Sequence, residues 1–222
     1  MIKPLPYTVT SEMLAEVGTI YNTGRQAVNE PTGRFFYDPW VIKPEYKGTV
    51  WEKLLDTLPA PIGEARIITL KSATCYPTHA DIDDRYHLNL QGEASYLIDL
   101  ENNKLHPVTQ DGIWYNMDAG RLHTATNFGR MDRVQFVVRQ LLVDNKLTQP
   151  ARVTISVGGS SEDDSRFMFD QIVSPWLNRA NKAGLMSDFR YENRNILFSI
   201  ERVAINDFTS IIKTTDFKLE IE

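Results

Sequence analysis

The chain holds a single cysteine, Cys75, so no disulfide can form within it. A lone thiol fits a reducing cytoplasm, and the expectation is a cytoplasmic protein in which Cys75 is a small buried hydrophobe. Long apolar runs are missing too. None approaches the ~20 residues that cross a bilayer. Met1 to Gly18 lacks the basic flank and apolar stretch of a secretory leader. Basic charge is in deficit: 24 Lys and Arg against 29 Asp and Glu leave a net charge of −5. That balance argues against a nonspecific nucleic-acid or membrane-surface binder. Internal repeats and low-complexity segments are absent. What remains is 42% hydrophobic and 24% charged, the composition of a folded chain. Its 222 residues suffice for one full domain and a smaller appendage.

Three textures follow one another. Near the N-terminus, Ser11 can cap a helix with Met13, Leu14, Val17, Ile20 and Tyr21 at helical spacing, and Asn22 to Pro31 breaks that pattern. Thr49 and Glu52 form a T-x-x-E capping box before the apolar stripe Val50, Trp51, Leu54, Leu55 and Leu58, which Pro59 and Pro61 end. From Ala65 to Val143 short β-type runs alternate with Gly, Asn and Asp turns: Ala65 to Ala73, Tyr86 to Leu90, Ser95 to Leu100, Ile113 to Met117, Leu122 to Thr126 and Val134 to Val143. That pattern predicts an all-β sandwich or barrel.

Asp144 to Pro150 reads as a linker, dividing 1–145 from a small α+β domain over 151–222. In the latter, Val153 to Val157 reads as a strand that Gly158-Gly159-Ser160 breaks. Ser161 with Asp164 can cap a helix bearing Phe169, Ile172, Val173, Trp176, Leu177 and Ala180 on one face, kinked or split by Pro175. That face needs a cover: its own sheet, the barrel or a second subunit in a dimer. Asp188 to Tyr191 and Asn195 to Glu201 read as a hairpin around Glu192-Asn193-Arg194. A helix over Asn206 to Lys213 and a strand over Phe217 to Ile221 complete the order βαββαβ, that of a ferredoxin-like plait.

The chemistry lies in the middle. Side chains alternate along a strand, so an extended 79–81 puts His79 and Asp81 on one side, where His123 from another strand can join them. Two imidazoles and a carboxylate are the ligands of a non-heme Fe(II) facial triad, which leaves the opposite face open. By the same parity Arg85, His87 and Asn89 share a face, as do His123, Ala125 and Asn127, and Arg133 and Gln135. A polar interior of this kind is unusual for a plain core and suits a pocket for a dianion. A His-x-Asp pair alone is common, and it is the combination that carries the reading. His106, beside Pro107 at a turn, reads as bland. Asp83 and Asp84 read as loop-capping or solvating, and Trp114 and Tyr115 as packing.

Tyr76-Pro77-Thr78-His79-Ala80-Asp81, Arg85-Tyr86-His87-Leu88, Gly120-Arg121-Leu122-His123 and Arg133 together resemble the aspartyl/asparaginyl β-hydroxylase family of 2-oxoglutarate-dependent oxygenases. With Val28-Asn29-Glu30-Pro31-Thr32-Gly33 upstream, the pattern is most similar to its small bacterial and phage-type members. The resemblance covers 65–143 firmly and does not reach the last seventy or so residues. It implies a mainly β, cupin-like double-stranded β-helix (jelly roll) with N-terminal helices, and Fe(II) on His79, Asp81 and His123. It implies 2-oxoglutarate and O2 as co-substrates, with Arg85 and His87 at the oxo-acid end. Arg133, ten positions beyond His123, would grip the far carboxylate. Tyr76 and Asn127 are expected beside the co-substrate. Asp81 departs from the animal members, which lack the carboxylate ligand, and the Y-x-x-H-x-D string is that of the prolyl-hydroxylase branch. The implied activity is hydroxylation of an amino-acid side chain, free or within a peptide. A non-catalytic cupin-like binder and a nucleic-acid base oxygenase are the alternatives.

Overall fold

The structure, a computed structural model, describes residues 2–20, 25–156, 167–193 and 195–222. Tyr21, the start of the break at Asn22, the glycine break after Ser156, the Ser161–Asp164 cap and Arg194 fall outside these residues.

The N-terminal part begins with β1 (Ile2–Thr8), α1 (Ser11–Ile20), β2 (Arg25–Ala27), β3 (Asn29–Pro31) and β4 (Trp40–Ile42), followed by α2 (Val50–Leu55). The cap of α1 is Thr10, whose Oγ1 accepts from Met13 N at 3.2 Å, one residue before the Ser11 that the sequence suggested. At α2 the capping box does not close. Thr49 adopts the extended cap conformation, but its hydroxyl donates to Tyr46 O and Glu52 accepts from Gly48 N instead. The apolar stripe behaves as expected. Val50, Trp51, Leu54, Leu55 and Leu58 share one core with Leu88, Trp114, Phe136 and Val138.

Eight strands follow: β5 (Ala65–Leu70), β6 (Thr74–Cys75), β7 (Arg85–Gln91), β8 (Ser95–Asp99), β9 (Lys104–Pro107), β10 (Ile113–Met117), β11 (His123–Asn127) and β12 (Arg133–Arg139). They divide between two antiparallel sheets. One has the order β1-β10-β7-β12-β5-β2 and the other β6-β11-β8-β9. Leu70, Leu97, Met117 and Ala125 join the two faces in a shared apolar cluster. β6 and β9 are too short to stand out in the sequence. β6 leaves Cys75 exposed, not buried, and His106 lies on the edge strand β9 rather than in a turn.

The C-terminal part comprises β13 (Pro150–Ser156), α3 (Ser174–Lys182), β14 (Met186–Glu192), β15 (Asn195–Glu201), α4 (Ile205–Ile212) and β16 (Lys218–Ile221). The sheet order is β14-β15-β13-β16, antiparallel throughout. A π-helical turn, Phe169–Val173, leads into α3. Pro175 therefore stands in the first turn of α3, where its missing N–H costs nothing, and the irregularity falls just upstream. Phe169, Val173 and Leu177 are covered by their own sheet through Val153, Ile155, Phe198 and Ile200. Ile82 and Leu142 enter the same core, so the metal-ligand segment and the C-terminal part share apolar packing.

Candidate metal centre

Between β6 and β7 the chain is irregular, yet it runs antiparallel to the approach to β11. His79 N donates to His123 O at 2.9 Å and His123 N to His79 O at 2.8 Å. Asp81 N donates to Ala119 O at 2.8 Å. This ladder brings together side chains 44 positions apart, and ligand atoms of His79, Asp81 and His123 all lie within 4.8 Å of one another. The group can hold one metal ion.

The imidazoles are set for that task. His79 Nδ1 lies 2.8 Å from Pro77 O, and His123 Nδ1 lies 2.7 Å from Arg121 O. A carbonyl oxygen only accepts, so each Nδ1 carries a hydrogen, and Nε2 is the atom left to ligate. His123 Nε2 lies 4.0 Å from Asp81 Oδ2. Burial pushes the His123 pKa down to about 4 against the opposing pull of Asp81, so the ring is neutral near pH 7. Burial would raise the Asp81 pKa, but Arg85, with His123, His79 and Arg139, outweighs it and keeps the carboxylate ionised. Arg85 Nη2 sits 3.0 Å from Asp81 Oδ1.

Arg85 has a second partner, Asp83, at 2.7 Å, and Asp83 is also bound by Arg139. The Arg139 guanidinium lies 4.1 Å from the centre of the Phe36 ring. A charge chain Asp81–Arg85–Asp83–Arg139 therefore leads away from the centre. Asp83 is buried and Asp84 pairs with Lys182 at 2.8 Å, so neither solvates a loop as the sequence suggested. Deleting one member of a buried pair costs ~3–5 kcal/mol. Asp83 and Arg139 are thus structural supports that a motif-based reading missed. The signal for Arg139 was its parity with Arg133 and Gln135 on β12.

Deeper between the sheets the expected polar face is present: Arg85, His87, Asn89, Arg133 and Gln135 are all buried. Their circumstances differ. Gln135 Nε2 donates to Asn89 Oδ1 at 2.5 Å, and Asn89 Nδ2 to Thr109 O at 2.9 Å. Arg133 is only 2% exposed, and among the described residues no carboxylate lies within ion-pair distance of it. Its Nη1 has no partner. Burial draws its pKa down to about 10, opposed by the Tyr76 hydroxyl, whose ring centre is 5.9 Å from the guanidinium. Neither ring nitrogen of His87 has a partner. Burial first, then Arg133 and Arg85, push its pKa down to about 3, so it is neutral. A buried unpaired cation beside an unpartnered imidazole is costly in a core, and an anion placed between them would relieve both.

Asn127 is different. Its Nδ2 donates to Leu70 O at 3.1 Å and Met131 O at 2.8 Å. Its Oδ1 accepts from Ser95 Oγ and Gly129 N at 3.0 Å each. All four hydrogen-bonding positions are used, which leaves none for a ligand. The residue pins the turn between β11 and β12.

Two cavities are lined by sequence neighbours of the ligands, Leu122 in one and Asp83 in the other, and by none of the three ligands themselves. An open groove of about 470 Å³ runs between Leu122 and the C-terminal helices, lined by Gln171, Ile172, Pro175, Arg179 and Ile211. A smaller one of about 160 Å³ is bounded by Phe35, Phe36, Trp40, Asp83 and Arg139. Among the described residues no helix is long and apolar enough to cross a membrane. No protein-family profile matches this chain, and no curated protein matches it either, so the site is read from its own geometry.

Proposed function

We propose that the protein is an Fe(II)- and 2-oxoglutarate-dependent dioxygenase that hydroxylates an amino-acid side chain, as the resemblance to the aspartyl/asparaginyl β-hydroxylases implies. The observation that carries this reading is the pairing of two features within one sheet pair. One is a His79–Asp81–His123 group with ligand atoms within 4.8 Å of one another and both Nδ1 atoms engaged by backbone carbonyls. The other is a buried Arg133 that lacks a counter-ion. Two antiparallel sheets, containing the runs β10-β7-β12-β5 and β6-β11-β8-β9 and sharing an apolar cluster, support the jelly-roll reading.

In this reading His79, Asp81 and His123 hold the metal. Arg133 forms a bidentate, charge-assisted pair with the far carboxylate of 2-oxoglutarate. Neutral His87 donates to the same co-substrate, and Tyr76 packs beside Arg133. Arg85, already engaged by Asp81 and Asp83, acts by keeping Asp81 ionised. Bound Fe(II) would couple O2 reduction to decarboxylation of the oxo acid, so that C–H, 2-oxoglutarate and O2 become C–OH, succinate and CO2. The open groove beside Leu122 is where a peptide or amino-acid substrate would lie.

The test is succinate release from 2-oxoglutarate with Fe(II), ascorbate and a panel of amino acids and peptides. Release stimulated by one substrate, and abolished by Asp81→Ala, supports the assignment. A protein that binds Fe(II) yet consumes no 2-oxoglutarate with any substrate is a binder, and the assignment falls.

A further inference from the structure

We propose that α3 and the π turn before it position the metal ligands, with Gln171 and Asn178 as the positioning residues. This rests on reading His79, Asp81 and His123 as the metal centre.

An irregular segment must still satisfy its backbone polar groups. For residues 78–84 several of the partners come from one place. Thr78 O accepts from Gln171 Nε2 at 3.0 Å. Ala80 N donates to Asp170 O at 2.8 Å. Ile82 O accepts from Asn178 Nδ2 at 3.1 Å. Asp84 Oδ1 takes Asn178 Nδ2 at 3.3 Å and Lys182 Nζ at 2.8 Å. The Ile82 side chain enters the C-terminal core.

The pattern alternates. Residues 78, 80, 82 and 84 are held by the C-terminal helix. Residues 79, 81 and 83 present their side chains to His123, Arg85 and Arg139. Although the segment is irregular, held and projecting residues take turns along it, so fixing the even residues aims the odd ones. The helix also grips the opposite wall. Lys182 Nζ reaches Asp118 at 2.8 Å, and a Cβ at Gly120 would lie 2.2 Å from Asn178 Cγ. Glycine at 120 therefore lets α3 approach the loop that leads to His123. The geometry of a three-ligand set is thereby held by a helix that supplies none of the ligands.

Asn181, on the same helix and equally buried, gives an internal control. Its side chain bonds to Val143 and Met186 and its carbonyl accepts from Asn145; among the described residues none of its hydrogen bonds reaches 78–84. Full-length Gln171→Ala, Asn178→Ala and Asn181→Ala variants are titrated anaerobically with Mn(II) by calorimetry. Their Co(II) ligand-field spectra and melting temperatures are recorded alongside. Loss of an outer-shell support typically weakens a metal site about 10- to 100-fold. Gln171→Ala and Asn178→Ala should show such a loss with an altered Co(II) spectrum. Asn181→Ala should melt earlier but bind Mn(II) as the wild type does. Gln171 is only half-buried, so its variant stays informative if Asn178→Ala folds poorly. Wild-type affinity and spectra in both Gln171→Ala and Asn178→Ala overturn the proposal. So does an equal affinity loss in Asn181→Ala. Wild-type protein that binds no Mn(II) overturns the metal reading itself, whereas metal binding without 2-oxoglutarate turnover removes only the assigned reaction.

Discussion

Replacing Arg133 with methionine should change the stability little and leave the protein nearly unable to bind 2-oxoglutarate. Both effects follow from its burial without a counter-ion. Arg133 is 2% exposed, has an unpartnered Nη1 and faces no carboxylate among the described residues. An unsatisfied buried polar group costs ~1–3 kcal/mol. Methionine removes that cost while retaining most of the apolar stem that packs near Gly92. It forfeits the hydrogen bond to the Tyr76 hydroxyl, worth ~0.5–1.5 kcal/mol, and the contact with the Tyr76 ring, worth ~0.5–1 kcal/mol. The net change is then about −1.5 to +2 kcal/mol, and each 1 kcal/mol moves the melting temperature of a chain this size by ~2–4 °C. Binding should fall sharply. Removing one partner of a buried charge pair costs ~2–5 kcal/mol, or about 30- to 5,000-fold in Kd. Calorimetry with 2-oxoglutarate on the Mn(II)-loaded protein measures the second quantity, and differential scanning fluorimetry of the metal-free protein measures the first. Mn(II) affinity should stay near wild type, because Arg133 touches none of the three ligands. Wild-type 2-oxoglutarate affinity in Arg133→Met would refute the anchor. A fall of more than ~6 °C in melting temperature would show that Arg133 contributes to the core and is not a charge awaiting a ligand.

Asp81→Ala should abolish most Mn(II) affinity while leaving the fold intact, since Arg85 keeps Asp83 as partner; calorimetry and circular dichroism check the two halves. Asn127→Ala should lower stability by ~2–6 kcal/mol in urea unfolding, because four hydrogen bonds of ~0.5–1.5 kcal/mol each are lost, without changing 2-oxoglutarate affinity. Acid should destabilise the metal-free protein. The folded pKa values of His123 and His87, about 4 and about 3, lie below the unfolded value near 6.5, so the unfolded chain binds more protons between those limits. Stability is then present above pH ~6.5 and lost as pH falls, by up to ~1.4 kcal/mol per pH unit for each ring. Urea titrations at pH 7 and 5 should show the loss, and His87→Leu should show a smaller one; identical slopes would place the effect elsewhere.

Much of this site was legible in the chain because a strand has period two. Parity alone put Arg85, His87 and Asn89 on one face and Arg133 and Gln135 on another, and all five are buried. The apolar stripe of α2 and the βαββαβ order of the C-terminal part followed from local spacing in the same way. Local signals were weaker at element ends. The cap of α1 fell one residue early, the capping box at Thr49 did not close, and β6 and β9 were too short to give a period.

The amino-acid sequence by itself therefore determined which residues share a face, His79 with Asp81 among them, since that depends on neighbours along the chain. That His123, 44 positions on, joins them was decided by the backbone ladder between the two segments. Tertiary structure decided which charges meet. Arg85 and Arg133 read alike as strand arginines, yet Arg85 is held by Asp81 and Asp83 while Arg133 faces no acid. Asn127 shared the inward parity of His123, but bonds to Ser95, Leu70, Gly129 and Met131 use all its capacity. The grip of Asn178 on Ile82 spans 96 positions. Such pairings are fixed by how sheets and helices stack, and a periodicity measured over a few residues carries no record of them.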